Sequence, residues 1–225
     1  THSFIRTGQI DSKFGFALET GEAMTAVKLA VETDSIDLCG LHCHIGSQIF
    51  DIAPFELAAK VMIDFISEIK ETVGYEIREL NLGGGFGIKY LESDTPKPFS
   101  EYMKRVSVVV KNEAEKKNVK LPFILIEPGR SVVGAEGVTV YTVGAVKHIP
   151  NIRTYVSVDG GMTDLIRPAL YQAYHKIENL TSEEPAEAYD VVGPICESSD
   201  VFGKAIDLNK IHRGDLIALR SAGAY

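Results

Sequence analysis

Three short motifs combine residues capable of chemistry with residues that bend the backbone. They are HCHIGSQ at 42–48, NLGGGFGI at 81–88 and EPGR at 127–130. Each motif follows an apolar run that is typical of a buried strand. Because parallel α/β proteins place binding groups at the carboxyl ends of their strands, we expect the three motifs to lie at one edge of a sheet.

The glycine triplet and the acidic motif predict a site for an anionic, ring-bearing cofactor. Gly83, Gly84 and Gly85 offer backbone N–H groups that are free to converge on a phosphate, and a tight turn without a ligand is the alternative. A carboxylate at Glu127 would keep a pyridine nitrogen protonated and make the ring an electron sink. Arg130 can fork onto a phosphate or carboxylate, or form a surface ion pair. The spacing does not match a dinucleotide fingerprint.

The histidine motif is compatible with three interpretations. His42 and His44 point to the same side of a strand, which is also a spacing of metal ligands in metal-dependent hydrolases. That function requires further ligands at other strand ends, and none of the remaining histidines follows such a strand: His2, His148, His175 and His212. A neutral imidazole stacked on a flat cofactor ring fits better, and buried structural histidines are the third possibility.

Two later motifs bear groups suited to an amino-acid substrate. Arg167 and Tyr171, in RPALYQAYH, are four residues apart and would share one helical face, where they can grip a carboxylate or simply face solvent. GPICESSD at 193–200 places Cys196 beside Glu197 in a loop-like stretch. A lone cysteine is usually a small buried apolar residue, so the acidic neighbour makes this pair unusual.

The apolar periodicity predicts the elements that position these motifs. Helices are expected at 21–33, 54–73 and 99–117, and strands at 36–41, in a run that ends at Leu82, and at 122–126. Gly74 is the expected end of the second helix, and Ser100 the expected N-cap of the third. This alternation indicates about four parallel strand–helix units in the first 130 residues. Alternating valines and threonines over 132–158 then predict a mostly β second domain, with an exposed loop at 181–188.

Composition indicates a globular chain without affinity for anionic surfaces. The 225 residues are 45% hydrophobic and 24% charged, with a formal net charge of −8, which argues against general binding to nucleic acid or anionic membrane. No apolar run is long enough to span a membrane, and no secretory segment stands at the N-terminus. Three unevenly spaced cysteines, Cys39, Cys43 and Cys196, do not form a disulfide framework, so we expect a reducing cytoplasm.

The order and spacing of these motifs resemble the pyridoxal-phosphate decarboxylases of the alanine-racemase-like, fold-type III barrel. The similarity runs from THSFIRTGQIDSKFGF to the terminal SAGAY. DGGMTDLIRPALYQAYH and GPICESSD look most like stretches of the diaminopimelate decarboxylase family. The resemblance implies a partial pyridoxal-binding (β/α)8 barrel at 1–132 and part of a mostly antiparallel β domain at 133–225. It also implies decarboxylation of meso-diaminopimelate to L-lysine, in a homodimer with shared active sites.

The same resemblance implies a role for each motif. His44 would stack on the pyridoxal ring, Glu127 would pair with its nitrogen, and Cys196 would act as an acid near the substrate Cα. Cofactor-binding positions would be His44, Ser47, Gly83, Gly84, Gly85, Glu127, Arg130 and Tyr225. Substrate-binding positions would be Arg130, Arg167, Tyr171, Glu197 and Tyr225, with Glu197 reading the distal ammonium.

One family requirement has no counterpart in the chain. The first barrel strand of the family carries a lysine that forms a Schiff base with the cofactor, whereas Lys13 lies in a different segment and Lys28 and Lys60 lie on predicted helices. We therefore predict an N-terminally truncated fragment that binds pyridoxal phosphate weakly and has no turnover alone. An ornithine, arginine or carboxynorspermidine-type decarboxylase, or a non-catalytic relative acting as a binding partner, are the alternatives.

Overall fold

The computed structural model describes residues 13–225, which divide into two units. The first unit contains the described residues up to Gly87 together with Pro96–Gly129, and the second contains Ile88–Thr95 and Arg130–Tyr225. Residues 1–12, with His2 and the start of the matching stretch, lie outside the described residues. No helix among those described has the length and apolar character to cross a membrane.

The first unit alternates helices with a parallel sheet. Its helices are α1 (Glu22–Glu32), α2 (Ala53–Val73) and α3 (Phe99–Lys116), and its strands are β1 (Gly40–His42), β2 (Glu79–Asn81) and β3 (Phe123–Leu125). The strands pair in the order β1-β2-β3, with His42 opposite Asn81 and Asn81 opposite Leu125, so they end at one level. The predicted alternation is confirmed, but the described residues form three strands rather than about four.

Helix α2 shows why this part of the sequence folds as predicted. Pro54 lies in its first turn, where a missing N–H costs nothing, and Gly74 ends the helix in the left-handed conformation with φ of 70°. The apolar stripe between them is buried, including Phe55, Ile63 and Ile66. Each such side chain contributes about 1.5–3 kcal/mol on burial, which is what fixes the helix against the sheet.

The start of α3 differs from the prediction of a Ser100 N-cap. The helix begins at Phe99, its N-cap is Pro98, and no side chain caps it. The Phe99 ring packs edge-on against Phe86 at 5.0 Å, so tertiary packing starts the helix before the serine. From α3, the single Tyr102 hydroxyl hydrogen is shared between the carbonyl oxygens of Ile49 and Phe50, at 3.2 and 2.9 Å, which ties the loop after β1 in place.

Strand β3 is apolar yet exposed. Phe123, Ile124 and Leu125 are 78%, 38% and 40% exposed, although their strand pairs with β2. A strand with this character at a sheet edge is an aggregation hazard unless other protein covers it.

The second unit is a six-stranded, mostly antiparallel sheet with two short helices. The helices are α4 (Arg130–Val133) and α5 (Arg167–Tyr171), and the strands are β4 (Thr139–Ile149), β5 (Arg153–Val158), β6 (Ile177–Asn179), β7 (Ala186–Val192), β8 (Val201–Asn209) and β9 (Leu216–Leu219). Their order is β6-β9-β4-β5-β7-β8, and the β5–β7 pair is parallel. Inward-facing residues of β4, β5 and β9 form its core, among them Val143, Val156 and Ile217.

Two boundaries in this unit differ from the sequence prediction. Residues 130–133 are helical, because the Gly134 N–H returns to the Arg130 carbonyl oxygen at 2.8 Å and closes a turn. The loop expected at 181–188 is shorter, since β7 begins at Ala186 and pairs with β8 from its first residue. In both places a backbone hydrogen bond formed by the fold outweighs the local composition.

Candidate active site

The Glu127 carboxylate, which follows β3, is held by residues at the ends of the other two strands of the sheet. Asn81 Nδ2, at the end of β2, donates to Oε1 at 2.8 Å, and His42 Nε2, at the end of β1, donates to Oε2 at 3.2 Å. His42 and Glu127 are each about half exposed, 51% and 56%, so the contact adds little to stability. The two contacts instead orient the Glu127 carboxylate. Each carboxylate oxygen has one fixed donor, and its remaining lone pairs are open to a cationic partner.

Asn81 is a site residue that the sequence analysis missed. Its side chain donates to Glu127 and, through Oδ1, accepts from the Gly83 N–H at 2.8 Å. The two bonds fix the orientation of the amide and connect the glycine loop to the carboxylate. The available signal was position alone, since Asn81 is the last strand residue before the triplet.

The glycine triplet is required by close approach of three loops. A Cβ on Gly84 would lie 2.2 Å from the Glu127 carbonyl oxygen, and one on Gly83 would lie 2.5 Å from the Cys43 carbonyl oxygen. Gly83 and Gly85 also adopt left-handed backbones, with φ of 68° and 98°. The close packing requires glycine at 83 and 84 whether or not a ligand binds there, so contact of the triplet with a phosphate stays a prediction.

The structure supports a neutral imidazole at His44. Its Nδ1 accepts a hydrogen bond from the Gly84 N–H at 3.3 Å, which places the ring proton on Nε2. Burial, and secondarily the charge of His42, lower the pKa of His44, while Glu127 opposes them weakly. Stacking of this ring on a cofactor stays a prediction, as does the role of Ser47, which lies half-buried in the same loop.

Cys43, between the two histidines, faces the core. Its thiol packs against the apolar cluster of the first unit, and burial raises its pKa to about 11. The thiol is therefore protonated and inert near neutral pH. Among residues 13–225, no group of three or more His, Cys, Asp or Glu side chains is placed to hold a metal ion.

In the second unit, two arginines flank Tyr90. The Arg167 guanidinium carbon lies 4.3 Å from the centre of the Tyr90 ring and that of Arg130 lies 5.7 Å from it. Arg130 also donates to the Tyr90 hydroxyl at 2.6 Å and lies 4.6 Å from the centre of the Tyr225 ring. The structure thus brings together Arg130 and Tyr225, two of the predicted site residues, beside an aromatic residue that the sequence analysis did not select.

Arg167 is buried without an acidic partner. Arg167 is 8% exposed, and within the described part of the chain its guanidinium forms no ion pair with a carboxylate. Burial lowers its pKa, the nearby tyrosines oppose that shift, and Arg130 reinforces it. Tyr171 lies on the same short helix, as predicted. A buried guanidinium is costly unless paired, so this arrangement suits an anionic ligand.

The Cys196–Glu197 loop connects β7 to β8. Both residues are exposed, and Glu197 accepts hydrogen bonds from Ser199 and, less importantly, from Ser198 of its own loop, which lower its pKa. Within the described residues no ion pair joins Glu197 to Arg167. Arg167 is predicted to bind a carboxylate and Glu197 an ammonium group of the substrate, so a direct ion pair between them is not required.

Asp200 anchors this loop. Its carboxylate is buried at 3% exposure and accepts from the backbone N–H groups of Met162 and Ile195, at 2.7 and 3.0 Å. Met162 belongs to the segment that leads into α5, and Ile195 precedes Cys196. One buried carboxylate thus fixes both the Cys196–Glu197 loop and the approach to Arg167.

Comparison with known proteins places these features in one family. The family described as "Pyridoxal-dependent decarboxylase, pyridoxal binding domain" matches residues 1–134. Diaminopimelate decarboxylase of Halalkalibacterium halodurans is 47% identical over 227 residues, with the whole chain and 52% of that protein aligned. The chain thus spans about half the length of the curated relatives it matches.

Solved structures agree with the sequence relatives. Diaminopimelate decarboxylase from M. jannaschii superposes with a TM-score of 0.89 at 39% identity, covering 97% of this chain and 50% of that one. The Helicobacter pylori enzyme, complexed with L-lysine, gives 0.87 at 32% identity, covering 100% and 53%. The fold predicted from the sequence, part of a (β/α)8 barrel followed by part of a mostly antiparallel β domain, is confirmed.

Proposed function

The chain belongs to the family of pyridoxal-dependent decarboxylases, and from this premise we propose that the whole protein converts meso-2,6-diaminopimelate to L-lysine and carbon dioxide. This is the last step of lysine biosynthesis. The observation that carries the proposal is the Glu127 carboxylate, oriented by Asn81 and His42 at the ends of three parallel strands. Support for the substrate comes from relatives 41–47% identical that bear this enzyme's name.

The first unit fits pyridoxal phosphate by the chemistry of its donors. When bound, the cofactor supplies an electron sink for the pair released as the Cα–carboxylate bond breaks. Glu127 would hold a proton on the ring nitrogen, because an adjacent carboxylate favours the cationic form. The neutral His44 imidazole would cover one ring face. The glycine loop and Ser47 would present donors to the phosphate.

The second unit would bind the rest of the substrate. Arg130, Arg167 and Tyr171 would hold the distal carboxylate, and a buried guanidinium without an acid is well suited to this. Glu197 would accept from the distal ammonium. Cys196, an exposed thiol, would deliver a proton to Cα after carbon dioxide leaves.

We place the active site at a homodimer interface in the cytoplasm. Cys196 and Glu197 are both exposed on their loop, so each copy could contribute this loop to the active site of the other. Mixing a Cys196→Ala variant with a Glu127→Gln variant tests this, since random pairing should restore roughly a quarter of wild-type activity if sites are shared. No recovery, or a monomer by analytical ultracentrifugation, would rule out shared sites.

Direct assay of the full-length protein tests the function. With pyridoxal phosphate and meso-diaminopimelate it should release carbon dioxide and L-lysine in equal amounts. Glu127→Gln, which keeps shape and removes charge, should lower kcat about a hundredfold, as loss of a preorganised electrostatic partner does. Glu136→Gln, at an exposed position, is the matched control. Faster turnover of ornithine or arginine would favour the alternative decarboxylases, and no turnover of any substrate would favour a non-catalytic binding partner.

A further inference from the structure

A buried histidine supports the arginine cluster from behind. His175 follows α5 and is 2% exposed. Its Nδ1 contacts the Arg220 carbonyl oxygen at 2.9 Å, and its Nε2 contacts Arg167 Nη1 at 2.9 Å. Both ring nitrogens therefore have a hydrogen-bond partner: the backbone carbonyl of Arg220, just after β9, and the Arg167 guanidinium.

These two partners allow only one protonation state. A carbonyl oxygen can only accept, so Nδ1 must carry a hydrogen, and a guanidinium can only donate, so Nε2 must be the bare acceptor. A second ring proton would point an N–H at the Arg167 N–H. Burial and the charges of Arg167 and Arg130 lower the pKa of His175, in agreement with this geometry, although the Arg220 carbonyl opposes them.

Tyr90 completes the support on the adjacent side. Its ring meets His175 edge-on, with centroids 5.4 Å apart and planes at 81°, while its face lies against Arg167 at 4.3 Å. A planar guanidinium with one edge bonded to an imidazole and one face stacked on a phenol ring has little freedom to turn. Its other donors are thereby fixed in direction.

We propose that His175 is a positioning residue that holds the Arg167 guanidinium ready for the substrate carboxylate. This inference rests on the proposed function, because it takes Arg167 as a carboxylate-binding residue. His175 acts as a neutral acceptor. It orients the guanidinium but leaves its charge uncompensated, whereas an aspartate at this position would neutralise it. Arg167 consequently keeps its full charge for the ligand.

The test compares variants of the full-length protein. His175→Phe keeps the ring packing against Tyr90 and removes the acceptor, whereas His175→Gln offers an amide oxygen to Arg167. We expect His175→Phe to raise KM for meso-diaminopimelate and Ki for L-lysine about tenfold, the loss of one hydrogen bond to a charged group, with kcat changed less than about threefold. His175→Gln should recover most of that affinity, and binding of cadaverine, which lacks a carboxylate, should not change.

Two controls separate the possible failures. His148→Gln, at an exposed position of β4, should behave as wild type. If Arg167→Lys raises both constants while His175→Phe leaves them within about twofold, the positioning role is wrong and the proposed function stands. If Arg167→Lys changes neither, the substrate-binding role of Arg167 fails, and this inference fails with it.

A measurement on the unaltered protein covers the case in which His175→Phe does not fold. Nitrogen-15 NMR of labelled histidines should show His175 as the neutral Nδ1–H tautomer at pH 6. A protonated ring, or the Nε2–H tautomer, would overturn the proposal.

Discussion

Replacement of Gly84 by alanine is the sharpest perturbation that the first unit offers. An alanine Cβ at this position would lie 2.2 Å from the backbone carbonyl oxygen of Glu127, and the obstacle is backbone rather than a flexible side chain. Gly84 does not have a left-handed backbone, so the effect comes from space and not from φ. The substitution therefore pushes the glycine loop directly away from the residue that bears the key carboxylate.

The size of the effect follows from this distance. Ordinary non-bonded contact requires about 3.5 Å, so the Gly84 loop and Glu127 must separate by roughly 1 Å. Displacement of this size at a reacting centre costs about a hundredfold in rate, and overpacking costs about 1–3 kcal/mol of stability. We expect kcat/KM for meso-diaminopimelate to fall about a hundredfold, while the protein stays folded.

The assay pairs this variant with Gly129→Ala in the full-length protein. A Cβ on Gly129 meets nothing within 4 Å, and this glycine is two residues from Glu127, so the control tests the same strand end without the clash. Decarboxylation rates and urea unfolding should be measured for both. If Gly84→Ala keeps kcat/KM within about threefold of Gly129→Ala, the glycine loop does not set the position of Glu127 and the reasoning is refuted.

Three further predictions follow from other contacts. Asn81→Leu removes the 2.8 Å donor to Glu127 and should lower kcat/KM about tenfold; because it also removes the acceptor of the buried Gly83 N–H, it should lower the free energy of unfolding by about 1–3 kcal/mol. Asp200→Ala leaves two backbone N–H groups without their acceptor and should lower the free energy of unfolding by about 3 kcal/mol in urea titration. His175, whose pKa is lowered by burial and by Arg167, binds a proton more readily when unfolded, so stability should fall as the pH drops below about 6.5, and His175→Gln should reduce that slope.

Each of these has a matched comparison. Asn112→Leu, on the exposed side of α3, controls for a new apolar surface residue, and equal rates for the two leucine variants would contradict the Asn81 assignment. Asp207→Ala, exposed on β8, should unfold as wild type does, and a similar result for Asp200→Ala would show that its two hydrogen bonds do not matter. An unchanged slope of stability against pH in His175→Gln would mean that His175 titrates alike in both states. The pKa of His44 is also lowered, so His44 contributes its own part of the pH dependence of stability in every variant.

Local patterns were sufficient for the long elements. Helix α2 was predicted to within one residue, because a twenty-residue apolar stripe and a terminal glycine act through short-range physics. Prediction was poorer where elements are short and depend on neighbours. The Ser100 cap was displaced by packing of Phe99, and the valines at 132–133 joined a helical turn closed by Gly134.

The sequence alone identified which side chains belong to the candidate site. Glu127, His44 and the glycine triplet follow apolar strands. Because parallel strands end at one edge of a sheet, the order of the residues was enough to predict that these groups lie close together. The tertiary structure alone decided what surrounds them. Asn81 reaches Glu127 across 46 residues, and Tyr90 meets Arg167 and His175 from more than 75 residues away. Such contacts depend on register and loop packing, which no local pattern encodes. The orientation of each functional group is therefore a property of the fold, whereas its chemical identity is a property of the sequence.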